Sequence, residues 1–241
     1  MATRLTGADA VVVEGDKGAP IERTWPCRAM PSRPGYVSRA DPASCIIATQ
    51  PVRIAGRWRE GYALDLHTVS STYLGDDEYG HSRFETKRSP AGDLLYRLKY
   101  QTDKSAVPEL ADALASFVRS WQPGVEIVVP VPPSRNRAVQ PVLMVGETLA
   151  RELQLDFCPA CVRRTRDVPQ LKDVFEYDER WRLLTGLYEV DRARVASQRI
   201  LLFDDLFRSG ATMNSITAAL YDQGGAADVF ALTITRTRSK Q

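Results

Sequence analysis

The chain has 241 residues, 44% of them hydrophobic, with 32 basic and 30 acidic side chains and a net charge of +2. That is enough apolar material for a sizeable core in one large α/β domain, or in one domain with an appendage. Near-balanced charge demands no nucleic-acid partner, no apolar run reaches the ~20 residues of a membrane helix, Met1–Ala10 lacks an apolar signal-peptide core, and four cysteines are too few for a disulfide scaffold. The composition reads as a reduced, cytoplasmic protein with no membrane partner.

Residues 1–45 read as a loosely ordered segment, because Pro20, Pro26, Pro31, Pro34 and Pro42 interrupt every periodic pattern. Residues 46–91 read as a β-rich extension. Ile46-Ile47 and Val52-Arg53-Ile54 are short apolar strands, and 56–61 is a hairpin connection. The run from Tyr62 to Thr68 alternates apolar and polar residues, so one of its faces is expected to be exposed. The polar run Gly75 to Gly80 is a loop.

From residue 92 to 241 the pattern is α/β. A helix is predicted from Asp93 to Tyr100 on the stripe Leu94, Leu95 and Leu98, and a second from Val107 to Trp121 with Pro108 in its first turn. Val125–Val129 is a buried strand and Val142–Leu153 a third helix. Ile200–Phe203 is a strand, Met213–Tyr221 a helix closed by Gly224-Gly225, and Val229–Ile234 a further strand. This alternation predicts a mainly parallel twisted sheet flanked by helices.

The most informative stretch is Ile200-Leu201-Leu202-Phe203-Asp204-Asp205-Leu206-Phe207-Arg208-Ser209-Gly210-Ala211-Thr212. An apolar strand ends in two carboxylates, then a turn of small residues opens a helix. Free amides and the dipole at a helix N-terminus favour an anion. Small side chains at Ser209, Gly210, Ala211 and Thr212 let the backbone wrap a phosphate, with Arg208 beside them. Asp204 and Asp205 are positioned to accept hydrogen bonds from vicinal ribose hydroxyls. The ligand such a site holds is a sugar phosphate.

This run resembles the phosphoribosyl-pyrophosphate (PRPP) motif of type I phosphoribosyltransferases. Phe207 and Arg208 depart from it, since the family has an aliphatic and then a small residue there. Pro130-Val131-Pro132-Pro133-Ser134-Arg135-Asn136-Arg137 follows an earlier strand end, where ligands of open α/β sheets gather. Its two arginines are bidentate donors for phosphate oxygens. By itself the segment reads equally as a structural turn. Beside the PRPP-like motif it resembles the pyrophosphate loop of the ComF-like branch of the family, with Ala138 and Val139 in place of part of that branch's pattern. The Leu-Lys-Tyr end of the first predicted helix is similar to that branch as well.

A basic segment from Arg163 to Asp173 includes Arg164, Arg166, Gln170 and Lys172. It reads either as a solvated charged loop or, through the ComF-like resemblance, as the mobile lid that closes over PRPP. Cys158-Pro159-Ala160-Cys161 could be half a zinc site or a redox pair. With no second C-x-x-C, it reads better as two small apolar residues in a strand. Asp65 and His67 stand two apart on one strand and so share a face. They read as a satisfied surface hydrogen bond or as base-recognising residues of a hood within 46–91.

The resemblance implies a type I phosphoribosyltransferase-like α/β fold, with PRPP or a nucleoside monophosphate and an unidentified base as partners. Asp204, Asp205, Arg135 and Arg137 would be catalytic, and Val131, Pro132, Pro133 and Ser134 would form the pyrophosphate loop. Mg²⁺ would enter bound through PRPP, with no metal site built from protein side chains alone. The alternative is a non-catalytic protein that senses PRPP or nucleotide, or that assists DNA uptake. A nucleic-acid partner has slight support from the basic segments, and a homodimer is compatible with the fold.

Overall fold

The computed structural model describes residues 47–133, 138–166, 184 and 186–238, all within one compact unit, 44–241. The described residues begin with β1 (Val52–Arg53), β2 (Glu60–Leu66), β3 (Thr68–Asp76) and β4 (Ser82–Arg88). Helices α1 (Pro90–Tyr100) and α2 (Ala106–Trp121) follow, then β5 (Ile127–Pro130), α3 (Pro141–Leu153), β6 (Asp156–Phe157), β7 (Val162–Arg164) and β8 (Tyr188–Val190). The chain continues with α4 (Arg192–Val195), β9 (Arg199–Phe207), α5 (Ala211–Asp222) and β10 (Asp228–Arg236).

Among the described residues, six strands form the central sheet in the order β1-β2-β10-β9-β5-β6. Only β1 runs antiparallel to its neighbour; the β2–β10, β10–β9, β9–β5 and β5–β6 pairs are parallel. Parallel sheets need both faces covered, and two core clusters do this. Strand alternation on β9 sends Leu201 and Phe203 to the cluster with α1, α2 and α3, and Ile200 and Leu202 to the cluster with α5. All four are fully buried, each stabilising the fold by roughly 1.5–3 kcal/mol.

The expected mainly parallel sheet flanked by helices is therefore present, and the predicted helices stand within a few residues of their expected bounds. The first segment differs. Residues 60–66, read as part of an extension preceding the α/β unit, form an inner strand between β1 and β10. The expected exposed face of this run is covered, since Ala63, Leu64 and Asp65 are all buried. Its polar alternation misled because Asp65 is buried with partners of its own: it accepts from the Leu66 N–H at 2.7 Å. The hairpin connection was correctly placed, with Val52 opposite Ala63 and Arg53 opposite Tyr62.

Cys158 and Cys161 do not lie in a strand. They close the turn between β6 and β7 as a disulfide, both buried against the α5-side core. The apolar environment was legible in the sequence. The bond was not, because a C-x-x-C spacing is equally that of a metal half-site or of two core residues. Among the described residues, strands β3 and β4 pair only with each other, as a ribbon between the end of β2 and the start of α1.

Candidate functional site

The site stands where parallel strands β2, β10 and β9 end together, beside β5, which ends four residues earlier. Leu66 aligns with Arg236, Arg236 with Phe207, and Pro130 with Phe203. Asp204 and Asp205 occupy the last part of β9, which runs on to Phe207.

Because side chains alternate along a strand, the two acids face opposite ways. Asp205 points to the α1 side, where Lys99 Nζ lies 2.9 Å from its Oδ2, with both side chains mostly shielded from water. Asp204 points to the α5 side, near Tyr188 of β8. Burial pushes the Asp204 carboxyl up to about 8, and the negative Asp205 adds to this. The Asp205 N–H, donating to Asp204 Oδ1 at 2.8 Å, and the Lys99 ammonium oppose the shift. The pair thus offers one carboxyl raised by burial and one held in an ion pair with Lys99. Burial likewise raises the Tyr188 phenol to about 12.

Beyond β9 the chain turns sharply into α5. Gly210 is the N-cap residue, with φ of 74° in the left-handed region that glycine occupies without strain. A Cβ there would stand 2.9 Å from the Phe207 ring. Gly210 has no side chain to accept from the first-turn amides, so those groups are available to an anion. Arg208 and Ser209 are exposed, Thr212 is half-buried, and Gly210 and Ala211 are buried. The unexpected Phe207 has a packing role, meeting Trp58 edge-on at 6.1 Å between ring centroids. Trp58 is anchored by its indole N–H to the Ile54 carbonyl at 3.0 Å, and the Arg57 N–H donates to Asn214 of α5 at 2.7 Å. The β1–β2 connection therefore braces the turn into α5.

Val131 continues the pairing of β5, donating its N–H to the Phe203 carbonyl at 2.8 Å. Its side chain belongs to the core. Pro132 and Pro133 are half-buried at the same edge. Ser134, Arg135 and Arg137 lie outside the described residues, as do Gln170 and Lys172 of the expected lid. Arg164 ends β7 opposite Tyr188, and Arg166 is exposed just beyond it.

Asp65 and His67 take different partners rather than each other. His67 Nδ1 lies 3.2 Å from Thr235 Oγ1, and Thr235 Oγ1 lies 3.5 Å from the Asp205 carbonyl. Burial, reinforced by Lys99, Arg88 and Arg208, lowers the His67 imidazole below its ordinary value. Burial raises the Asp65 carboxyl. Gly92 fixes α1 against this edge; a Cβ there would meet the His67 carbonyl at 2.3 Å. Two residues that sequence reasoning did not place in the site, Lys99 and Arg88, thus belong to it. The available signal was a lysine following directly on the apolar stripe of α1, one position after Leu98.

Among the described residues, no group of three or more His, Cys, Asp or Glu is arranged to hold a metal, and no helix is long and apolar enough to cross a membrane.

No protein-family model and no curated protein sequence matches this chain. Solved structures do. One is adenine phosphoribosyltransferase from Trypanosoma brucei in complex with AMP, pyrophosphate and ribose-5-phosphate, at 11% identity over 78% of this chain and 75% of that one, with a TM-score of 0.44. Another is adenine phosphoribosyltransferase from Saccharomyces cerevisiae, at 16% identity over 68% of this chain and 84% of that one, with a TM-score of 0.40. A third is described as the allosteric regulatory enzyme of purine biosynthesis, at 14% identity over 66% of this chain and 34% of that one, with a TM-score of 0.41.

Proposed function

We propose that the chain binds PRPP or a nucleoside monophosphate and transfers ribose 5-phosphate to a nitrogen base, with release of pyrophosphate. One observation carries this reading. The paired carboxyls of β9 lead directly, through a left-handed Gly210, into the uncapped N-terminus of α5 at the carboxyl edge of a parallel sheet. That order sets a diol-binding group and an anion cradle a few residues apart, the separation a ribose 5-phosphate needs.

In this reading the α5 amides and Arg208 hold the 5′-phosphate, and the Asp204–Asp205 pair orients the ribose hydroxyls. Asp204, whose carboxyl burial raises, and the ion-paired Asp205 each meet a ribose hydroxyl. The bond from ribose C1 to pyrophosphate breaks as the base nitrogen attacks, so positive charge develops on the ring and negative charge on the departing group. Preorganised charge on both sides lowers that barrier, because only interactions stronger in the transition state speed the step. Arg135 and Arg137 would receive the pyrophosphate, and Arg164 and Arg166 would belong to a basic lid excluding water from the reacting ribose. Bound through PRPP, magnesium would supply positive charge to the leaving pyrophosphate, with no protein side chain needed to hold it. The ComF-like branch is the family member this reading favours, through the motif at 200–212 and the Leu-Lys-Tyr end of α1.

Calorimetry tests the binding half. Ribose 5-phosphate and AMP should bind wild type, and the Asp204→Asn/Asp205→Asn protein should lose at least tenfold in affinity. Equal affinity in the two proteins would remove the assignment.

A further inference from the structure

We propose that the β3–β4 ribbon is a dimerisation element, in which β3 pairs antiparallel with β3 of a second copy of this chain about a two-fold axis near Thr72.

The ribbon has neither face on a core. Every residue from Val69 to Leu74 and from Ser82 to Lys87 is exposed. A two-stranded ribbon with both faces in water is marginally stable by itself. Among the described residues, five of the six exposed large hydrophobic side chains stand on it: Val69, Tyr73, Leu74, Tyr79 and Phe84. Tyr73 and Phe84 are 54% and 56% exposed although they stand opposite each other with ring centroids 5.6 Å apart. Apolar surface gathered in this way marks an interaction site.

The two outer edges of the ribbon differ. Strand β4 carries Arg83, Glu85, Lys87 and Arg88 within seven residues, and charges along an edge oppose pairing with another chain. Strand β3 has no charged side chain from Thr68 to Gly75, and Thr68, Val69, Thr72 and Tyr73 all favour extended backbone. The edge open to a further strand is therefore that of β3.

Charge selects the occupant. Asp76, Asp77 and Glu78 make the tip of the ribbon acidic. Hydrogen bonds from Tyr73 and then Ser82 hold the Asp76 carboxyl below its ordinary value, so it is ionised at neutral pH. The base of the ribbon is cationic: Arg88 stands opposite Thr68, and Arg238 donates to the Val69 carbonyl at 2.7 Å. Antiparallel pairing of β3 with its own copy brings each acidic tip to the other copy's basic base, twice by symmetry. It opposes no like charges along the paired strands. Tyr73 and Phe84 of both copies then share one face of a four-stranded sheet. The charged β4 strands form its outer edges, so the assembly closes at two chains.

Analytical ultracentrifugation of the full chain at micromolar concentration should show a species of twice the chain mass. Thr72→Lys sets like charges opposite each other at the axis and should sediment as a monomer with the circular dichroism of wild type. Thr72→Cys gives a second reading that does not depend on how the lysine variant folds. Opposed residues of antiparallel strands lie within disulfide reach, so mild oxidation should yield a covalent dimer that a thiol reductant dissolves and that wild type does not form. A monomeric wild type would overturn the proposal and leave the ribbon to another occupant. A dimer that persists in Thr72→Lys, or the absence of a cross-link through Thr72→Cys, would overturn it as well by placing the interface elsewhere.

Discussion

Lys99 Nζ and Asp205 Oδ2 lie 2.9 Å apart at the end of the central sheet, joining α1 to the last part of β9. The contact ties a helix reached early in the chain to the strand that carries the acidic pair. It also separates two adjacent carboxyls into different electrostatic states, since Lys99 serves Asp205 directly while Asp204 is left to burial.

Removing one partner of a shielded ion pair leaves the other charge uncompensated. Lys99→Met should therefore destabilise the protein by about 3 kcal/mol, read from urea denaturation at neutral pH. A loss below about 0.5 kcal/mol would place the pair among solvent-screened surface contacts.

Asp204 gives a pH signature. Its folded value of about 8 stands above the ordinary carboxylate value, so the native state holds this proton more tightly than the unfolded chain does. The stability it contributes is fully present below about pH 4 and is lost as pH rises toward and through 8. Asp204→Asn cannot ionise and should escape that loss. Its melting temperature relative to wild type should climb by several degrees between pH 5 and pH 8.5. A difference that stays constant across this range would show that the Asp204 carboxyl is not elevated.

The turn at Gly210 combines a positive φ with contact to the Phe207 ring. Gly210→Ala should cost roughly 1 kcal/mol or more through backbone strain and displace the start of α5. Affinity for ribose 5-phosphate should drop at least tenfold, while circular dichroism remains that of the wild type. Unchanged affinity would mean that the phosphate is held elsewhere.

The Cys158–Cys161 disulfide closes a very short loop, so its entropic effect on the unfolded chain is small, about 2 kcal/mol. Peptide mapping after alkylation of denatured protein should find this pair linked until a thiol reductant is added, and Cys158→Ala/Cys161→Ala should fold with only that modest loss. Alkylation of both cysteines without reductant would contradict the bond.

Local patterns carried much of this organisation. The run Ile200–Phe203 reads as a fully buried strand because both sheet faces are covered, and the small residues at 209–212 announce a tight strand-to-helix turn. The leucines of α1 and α2 mark their buried faces in the same way. What periodicity could not show was long-range pairing. Nothing in residues 60–66 says that they lie beside 230–236, so Asp65 looked like a surface residue although it is buried. Nor does adjacency in sequence reveal that Asp204 and Asp205 face opposite sides of the sheet with different partners. Lys99 and Arg88 enter the site only through the packing of α1 and β4 against the sheet edge.

Pyrophosphate release from PRPP in the presence of Mg²⁺, assayed against a panel of purine, pyrimidine and pyridine-carboxylate bases, tests the central claim most directly. Wild type should release pyrophosphate with at least one base, and Asp204→Asn/Asp205→Asn should fall to the level of the protein-free control. Wild-type protein that binds PRPP yet releases no pyrophosphate with any base would contradict the transferase assignment and leave a ligand-sensing protein in its place.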